Sequence, residues 1–163
     1  MKRVSLAVLW IVLTAYGARA ETIELFYQAV MQVHASHAAP VLDQPHHVVG
    51  IAAFRGIAVF SEGDIVVHRY DGWFDLENGS GRFHGYALWR FEDGSEIRAA
   101  YDGKASRAST GNVEVEARFH DVSGTGRFAG ASGEGSFAGR RLEPVDRGGT
   151  TYLNGTLALD LSE

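Results

Sequence analysis

No cysteine occurs among the 163 residues, and only three prolines do. The first absence excludes disulfides, a thiol nucleophile, a lipid-attachment cysteine and Cys-based zinc sites, so packing alone must hold the fold. Basic charge is also scarce. Fifteen Lys and Arg stand against 20 Asp and Glu, for a formal charge of −5. That is the wrong sign for sequence-independent contact with phosphate backbones, and nucleic acid is not an expected partner. Beyond residue 33 there is no useful stretch of helical period and no linker, charge block or low-complexity tract. Long apolar runs are missing too. The one that exists, Val4 to Leu13, falls short of the roughly 20 residues a membrane-spanning helix needs.

That run reads as an export signal. Lys2 and Arg3 precede it, and Ala18-Arg19-Ala20 follows with small residues at the two positions a signal peptidase reads. The expectation is a signal peptide over residues 1–20 and a single domain over residues 21–163, periplasmic or secreted, with no membrane span after cleavage. Cleavage removes Lys2, Arg3 and Arg19 and no acid, which makes the exported chain more acidic still. Outside the cytosol there is no ATP or NAD(P)H pool, and no cofactor is expected.

Glycine is plentiful, with 20 residues, and 45% of the chain is hydrophobic. From Thr22 onward apolar residues recur with period two between Gly, Asp, Asn and Ser clusters, the pattern of strands and turns. Eight strands are expected, over residues 22–33, 48–60, 65–77, 82–92, 96–101, 112–120, 135–142 and 150–161. Asn78-Gly79 and Asp93-Gly94 are hairpin signals. An open sheet of this size would expose two long edges, whereas closure removes both, so the fold class is all-β: an eight-stranded antiparallel up-and-down barrel of calycin-like form. In the sixth strand Val113, Val115, Ala117 and Phe119 face inward and Glu114, Glu116, Arg118 and His120 face water. The second and last strands are apolar on both faces, which calls for an outer cover, most simply a second copy of the chain.

A glycine-rich segment runs from Ser123 to Gly139. Its Gly124-x-Gly126-x-x-Ala129 formally matches a dinucleotide fingerprint, but the antiparallel surroundings lack the helix and the acidic residue such a site needs. A compact turn in which Phe128 plugs the barrel end is the expectation. The run Val122 to Gly133, preceded by Gly85-Tyr86 and by Phe91-x-Asp93-Gly94-Ser95, resembles the small bacterial barrels similar to plant allene oxide cyclases and dirigent proteins. That resemblance covers residues 50–161 in pattern. It implies an eight-stranded barrel, commonly trimeric, with an apolar cavity at one end, serving either as a cofactor-free cyclase or as a holder of a reactive intermediate.

Four of the seven histidines, His34, His37, His46 and His47, fall in what reads as a proline-containing loop over residues 34–47. No ordered scaffold fixes them there, and no metal site is assigned. Inside the barrel, His68 and Tyr70 share the apolar face of the third strand with Val66, Phe74 and Leu76, while Arg55, Tyr27 and Tyr101 occupy apolar faces elsewhere. A few convergent polar groups in an apolar pocket make a ligand site. His68, Tyr70 and Arg55 are the catalytic candidates, the first two to move protons and Arg55 to hold a carboxylate or an oxyanion. Tyr27, Tyr101 and Phe74 are the ligand-binding candidates. Glu24 and Glu143 are weaker acids near a barrel mouth. The expected function is binding of a small apolar or aromatic molecule, with isomerase or cyclase chemistry open. The alternatives are a carrier without chemistry and an oligomeric interaction barrel with a filled interior.

Overall fold

The computed structural model describes residues 21–161 of the chain. The signal-peptide assignment lies outside those residues. Eight strands close into one antiparallel barrel in chain order: β1 (Glu21–Val41), β2 (Gln44–Phe60), β3 (Ile65–Glu77), β4 (Ser80–Arg90), β5 (Glu96–Arg107), β6 (Val113–Thr125), β7 (Ser132–Arg141) and β8 (Thr151–Leu161). β8 pairs back onto β1, from Glu21 opposite Leu161 to Met31 opposite Thr151. The expected architecture is present, and the alternation expected for β6 is kept, with Val115, Ala117 and Phe119 buried between exposed neighbours.

Several strand boundaries differ from the sequence reading, among them β6, which runs to Thr125 rather than residue 120, and β7, which starts at Ser132 rather than residue 135; the largest differences are in β5 and in the β1–β2 hairpin. β5 continues to Arg107, because Asp102, Lys104 and Ser106 turn outward between inward Tyr101, Gly103 and Ala105. The expected loop over residues 34–47 is instead the end of a long β1–β2 hairpin that turns at Leu42, a residue with φ of 51°. Pro40 and Pro45 suggested a loop, yet the ladder only shifts register there, between Pro40 and Val41, and does not end. Pairing of β1 with β8 ends at Met31 and pairing of β2 with β3 starts at His47, so each proline keeps its missing N–H on an edge with no further strand. The histidines therefore stand on an exposed hairpin, and the described residues contain no group of three metal-ligating side chains.

Many glycines serve the wall rather than the turns. Four inner aromatic rings each lie across a glycine that is the direct register partner on the next strand: Phe74 over Gly50, Phe83 over Gly103, Tyr101 over Gly85 and Tyr27 over Gly155. A Cβ at Gly50 or Gly103 would stand 2.5 Å from the Phe74 or Phe83 ring, and one at Gly155 would run into the Tyr27 ring. Glycine on one strand thus makes room for a large ring on its neighbour, so the lumen fills with aromatics without strain.

One end is sealed. A 3₁₀ turn over Gly126–Phe128 folds Phe128 inward against Phe91, ring centres 4.9 Å apart, and Phe91 stacks on Phe60 at 5.5 Å. The expected plug is there. Arg127 lies over both Phe91 and Phe128, and its guanidinium bonds the Asp64 carboxylate. Ser95 accepts from the Arg127 backbone N–H at 3.0 Å, and its own N–H donates to Asp93 at 2.9 Å. A bulge in β6 marked by Asp121, at φ of 50°, shifts the inward parity so that Val122 rather than Asp121 is buried.

The outer face of β1, β2 and β3 is apolar, as the sequence indicated for β2. Val30, Ile57 and Val67 sit opposite one another across the three strands, Val59 pairs with Ile65 and Ile51 with Trp73, and all are more than a third exposed.

Candidate functional site

The barrel end opposite the Phe128 plug holds a cavity of about 70 Å³. Phe54 from β2, Phe74 from β3 and Phe83 from β4 stand half-buried around it, with Met31, Val115, Phe137 and Leu153 as its apolar floor and wall. Its polar groups come from four strands: Tyr70 on β3, Tyr101 on β5, Arg141 at the end of β7 and Thr151 at the start of β8.

The structure brings Tyr70, Tyr101 and Phe74 to this cavity. The Tyr101 hydroxyl sits in a gap in the wall made by Gly72 and Gly85, a cross-strand glycine pair, and no side chain or backbone group bonds it among the described residues. Tyr70 and Tyr27 share a buried hydrogen bond, O···O 3.1 Å. Burial pushes both hydroxyls well above the ordinary tyrosine range, and burial followed by the charge of Asp71 does the same for Tyr101. All three are neutral donors at any physiological pH. Tyr27 stays below the cavity as support for Tyr70. If Tyr27 donates in their shared bond, the Tyr70 proton is free to point at a ligand.

His68 lies deeper. It is 0% exposed, stacked on Trp89 at 4.7 Å and edge-on to Tyr70 at 4.5 Å. Its Nδ1 donates to the Leu88 carbonyl at 2.9 Å, which leaves Nε2 as a bare lone pair with no partner. Burial, opposed only by that bond, lowers its pKa to about 3, so the ring is neutral. No hydrogen bond joins it to Tyr70, and it does not line the cavity. Trp89 Nε1 beside it is a buried donor without an acceptor.

Arg55 is a correction. It stands exposed on the outer face of β2, opposite Gln32 and Arg69, because period two puts it with Ala53 and Ile57, and that face is the outside. The lumen faces of β2 are Ala52, Phe54 and Ala58. Both faces of this strand are apolar, so hydrophobicity gave no basis for choosing between them. Glu24 is exposed on β1, and Glu143 is exposed and accepts from the Thr150 hydroxyl at 2.6 Å.

The cation that does face the lumen is Arg141, which the sequence reading missed. Inner positions on β7 are Gly133, Gly135, Phe137, Gly139 and Arg141. Its guanidinium lies 5.6 Å from the Phe54 ring centre, and its Nε is fully covered without a hydrogen-bond partner. Burial lowers its pKa from the ordinary arginine value. The signal available in the sequence was weak: counting by two from Phe137 reaches Arg141, but the inner positions Gly133, Gly135 and Gly139 carry no side chain to mark that face.

No protein-family model matches this chain, and no curated protein does either. Among solved structures it is similar to the pterocarpan synthase dirigent protein GePTS1, at 14% identity and a TM-score of 0.50, over 98% of this chain and 100% of that one. The barrel is dirigent-like. At that identity the likeness is one of fold, and function must be argued from the site.

Proposed function

We propose that this barrel binds a small aromatic or apolar molecule in the cavity at its open end, holding it by shape and without a cofactor. The observation that carries this reading is the contrast in filling along the lumen. The sealed end is packed with Phe60, Phe91 and Phe128, while the open end keeps a cavity ringed by three half-buried phenylalanines with Tyr70, Tyr101 and Arg141 converging on it. An apolar pocket with a few placed polar groups is how small-molecule sites are built. The fold likeness to a dirigent protein supports a barrel that binds in its lumen. Should proton transfer accompany binding, the hydroxyls of Tyr70 and Tyr101 are the candidates at the cavity, since His68 lies beneath the lining.

The test is binding of a panel of monocyclic aromatics to the chain from Glu21 onward, followed by calorimetry and by NMR shifts at the cavity residues. Wild-type protein should bind at least one member, and Ala52→Phe, which fills the cavity from β2, should abolish binding while melting as cooperatively as wild type. Equal binding by both proteins would place the ligand elsewhere and end this reading.

The outer face of β1–β3 supports a second proposal, that copies of this chain associate through it. Val30, Ile57 and Val67 form an apolar stripe that Val59 and Ile65 extend on one side, while on the other Arg55 and Arg69 and then Asp71 and Asp75 follow, a mixture of signs that suits a copy of itself. The exposed end of the β1–β2 hairpin continues the same surface, and a two-stranded ribbon standing alone is only marginally stable in water. Native mass spectrometry should show an oligomer that Ile57→Glu converts to monomer. A wild-type monomer would dismiss the interface.

A further inference from the structure

Arg141 is the only permanently charged side chain facing the lumen among the described residues. Every other ion pair of the barrel lies on the outer face or at the sealed end, and Arg141 belongs to none of them. Its guanidinium carries five N–H donors in a planar fork, and among the described residues no acceptor takes any of them. The Glu143 carboxylate accepts from Thr150 and the Thr151 hydroxyl donates to the Gly149 carbonyl at 2.8 Å, and neither bonds Arg141. The Phe54 ring below holds the guanidinium plane in place over the cavity.

Arg141 is partly buried and its Nε is fully covered; a cation so shielded and without a counter-charge is disfavoured, and a bound anion would relieve it. Resting on the cavity reading above, we propose that the ligand is a monoanionic aromatic acid whose carboxylate takes the fork of Arg141 while its ring enters the cavity toward Tyr70 and Tyr101. One guanidinium neutralises one negative charge, so a phosphate dianion would leave an unpaired charge in an apolar site. The size fits a small ligand as well. The cavity of about 70 Å³ is under half of the roughly 150 Å³ known to hold benzene in a closed apolar void, so a single ring is the upper limit and enters only with movement of the partly buried phenylalanines at the mouth, leaving its carboxylate outside beside Arg141. The two tyrosine hydroxyls then favour a ring that carries an oxygen substituent on the side away from the carboxylate.

Benzoate and benzyl alcohol share a ring and differ in charge, which makes them the probes. Calorimetry on the chain from Glu21 onward should show benzoate binding at least about tenfold tighter than benzyl alcohol, the scale of a charge-assisted bidentate contact. Arg141→Gln should remove that preference by weakening benzoate about tenfold or more and benzyl alcohol by no more than about threefold. Arg141→Lys should keep part of it, since charge remains and the fork is lost. The variant should also melt at or above the wild-type temperature in the ligand-free state, because an unpaired buried charge has been removed. If benzoate and benzyl alcohol bind alike and Arg141→Gln changes neither, the anion assignment is overturned while the cavity reading stands. A fall of several degrees in melting temperature with unchanged benzoate affinity makes Arg141 a structural residue and also overturns it. If neither probe binds, yet other monocyclic aromatics do, the carboxylate is the wrong chemistry. If no aromatic binds at all, the cavity reading itself has failed.

Discussion

Each end of the barrel sets an arginine against phenylalanine, and the two are treated in opposite ways. At the sealed end Arg127 covers Phe91 and Phe128, bonds Asp64, lies 4.0 Å from Asp93 and donates its backbone N–H to Ser95. At the open end Arg141 covers Phe54 and meets no carboxylate. The first arrangement is complete by itself: ring, cation and anion are all supplied by the chain, and the turn over Gly126–Phe128 is fixed by them. The second lacks one member. The difference teaches that the same residue pair is a lock where its counter-charge is built in and a receptor where it is left out.

The comparison can be broken most forcefully at the plug. Phe128→Ala empties a fully packed site, and a loss of about 3–5 kcal/mol is expected in denaturant unfolding. Phe54→Ala at the open mouth should cost less, about 1–2 kcal/mol, because that ring is only partly buried. Similar losses at the two ends would mean that the open end is packed as part of the core.

Acid probes the layer between the two ends. His68 titrates near 3 in the fold against 6.5 in the unfolded chain, so the unfolded state binds more protons throughout that window. Stability should therefore fall as pH drops from 6.5 toward 3, by about 1.4 kcal/mol per unit from this group alone. His68→Gln should flatten the upper half of that slope. Below about pH 4.5 the loss continues as Glu96 and Asp93 protonate, the first held low by Arg90 and Arg98 and the second by the Ser95 N–H. An unchanged slope between pH 6.5 and 5 in the variant would show that His68 is charged in the fold.

The smallest effects carry the sharpest sign. Arg127→Met should lower stability by about 0.5–1 kcal/mol, the ordinary worth of partly exposed ion pairs, and Arg141→Met should leave it equal or higher. Opposite signs in parallel melts would establish the distinction between lock and receptor, and two losses of the same size would erase it.

Much of this was legible in the chain. Period two in β6, hairpin signals at Asn78-Gly79 and Asp93-Gly94, and the edge problem of eight strands led to a closed barrel, and Phe128 among glycines led to a plug. Those features are local or follow from counting, and no tertiary contact is needed to read them. Gly50, Gly85 and Gly155 lay inside expected strands but had no role there, because a glycine opposite an aromatic ring is visible only once register is known. Arg55 and Arg141 were exchanged for a related reason. On β2 both faces are apolar, so the side facing the lumen is set by closure rather than by the strand itself. On β7 glycine fills the inner positions, and the inner face shows no hydrophobic signal at all. The sequence by itself determined a barrel, its strand count and its plug, because alternation and turn chemistry act between near neighbours. Which end stays open, which arginine faces inward and that its counter-charge is missing were decided by register around the closed sheet, a property of eight strands together.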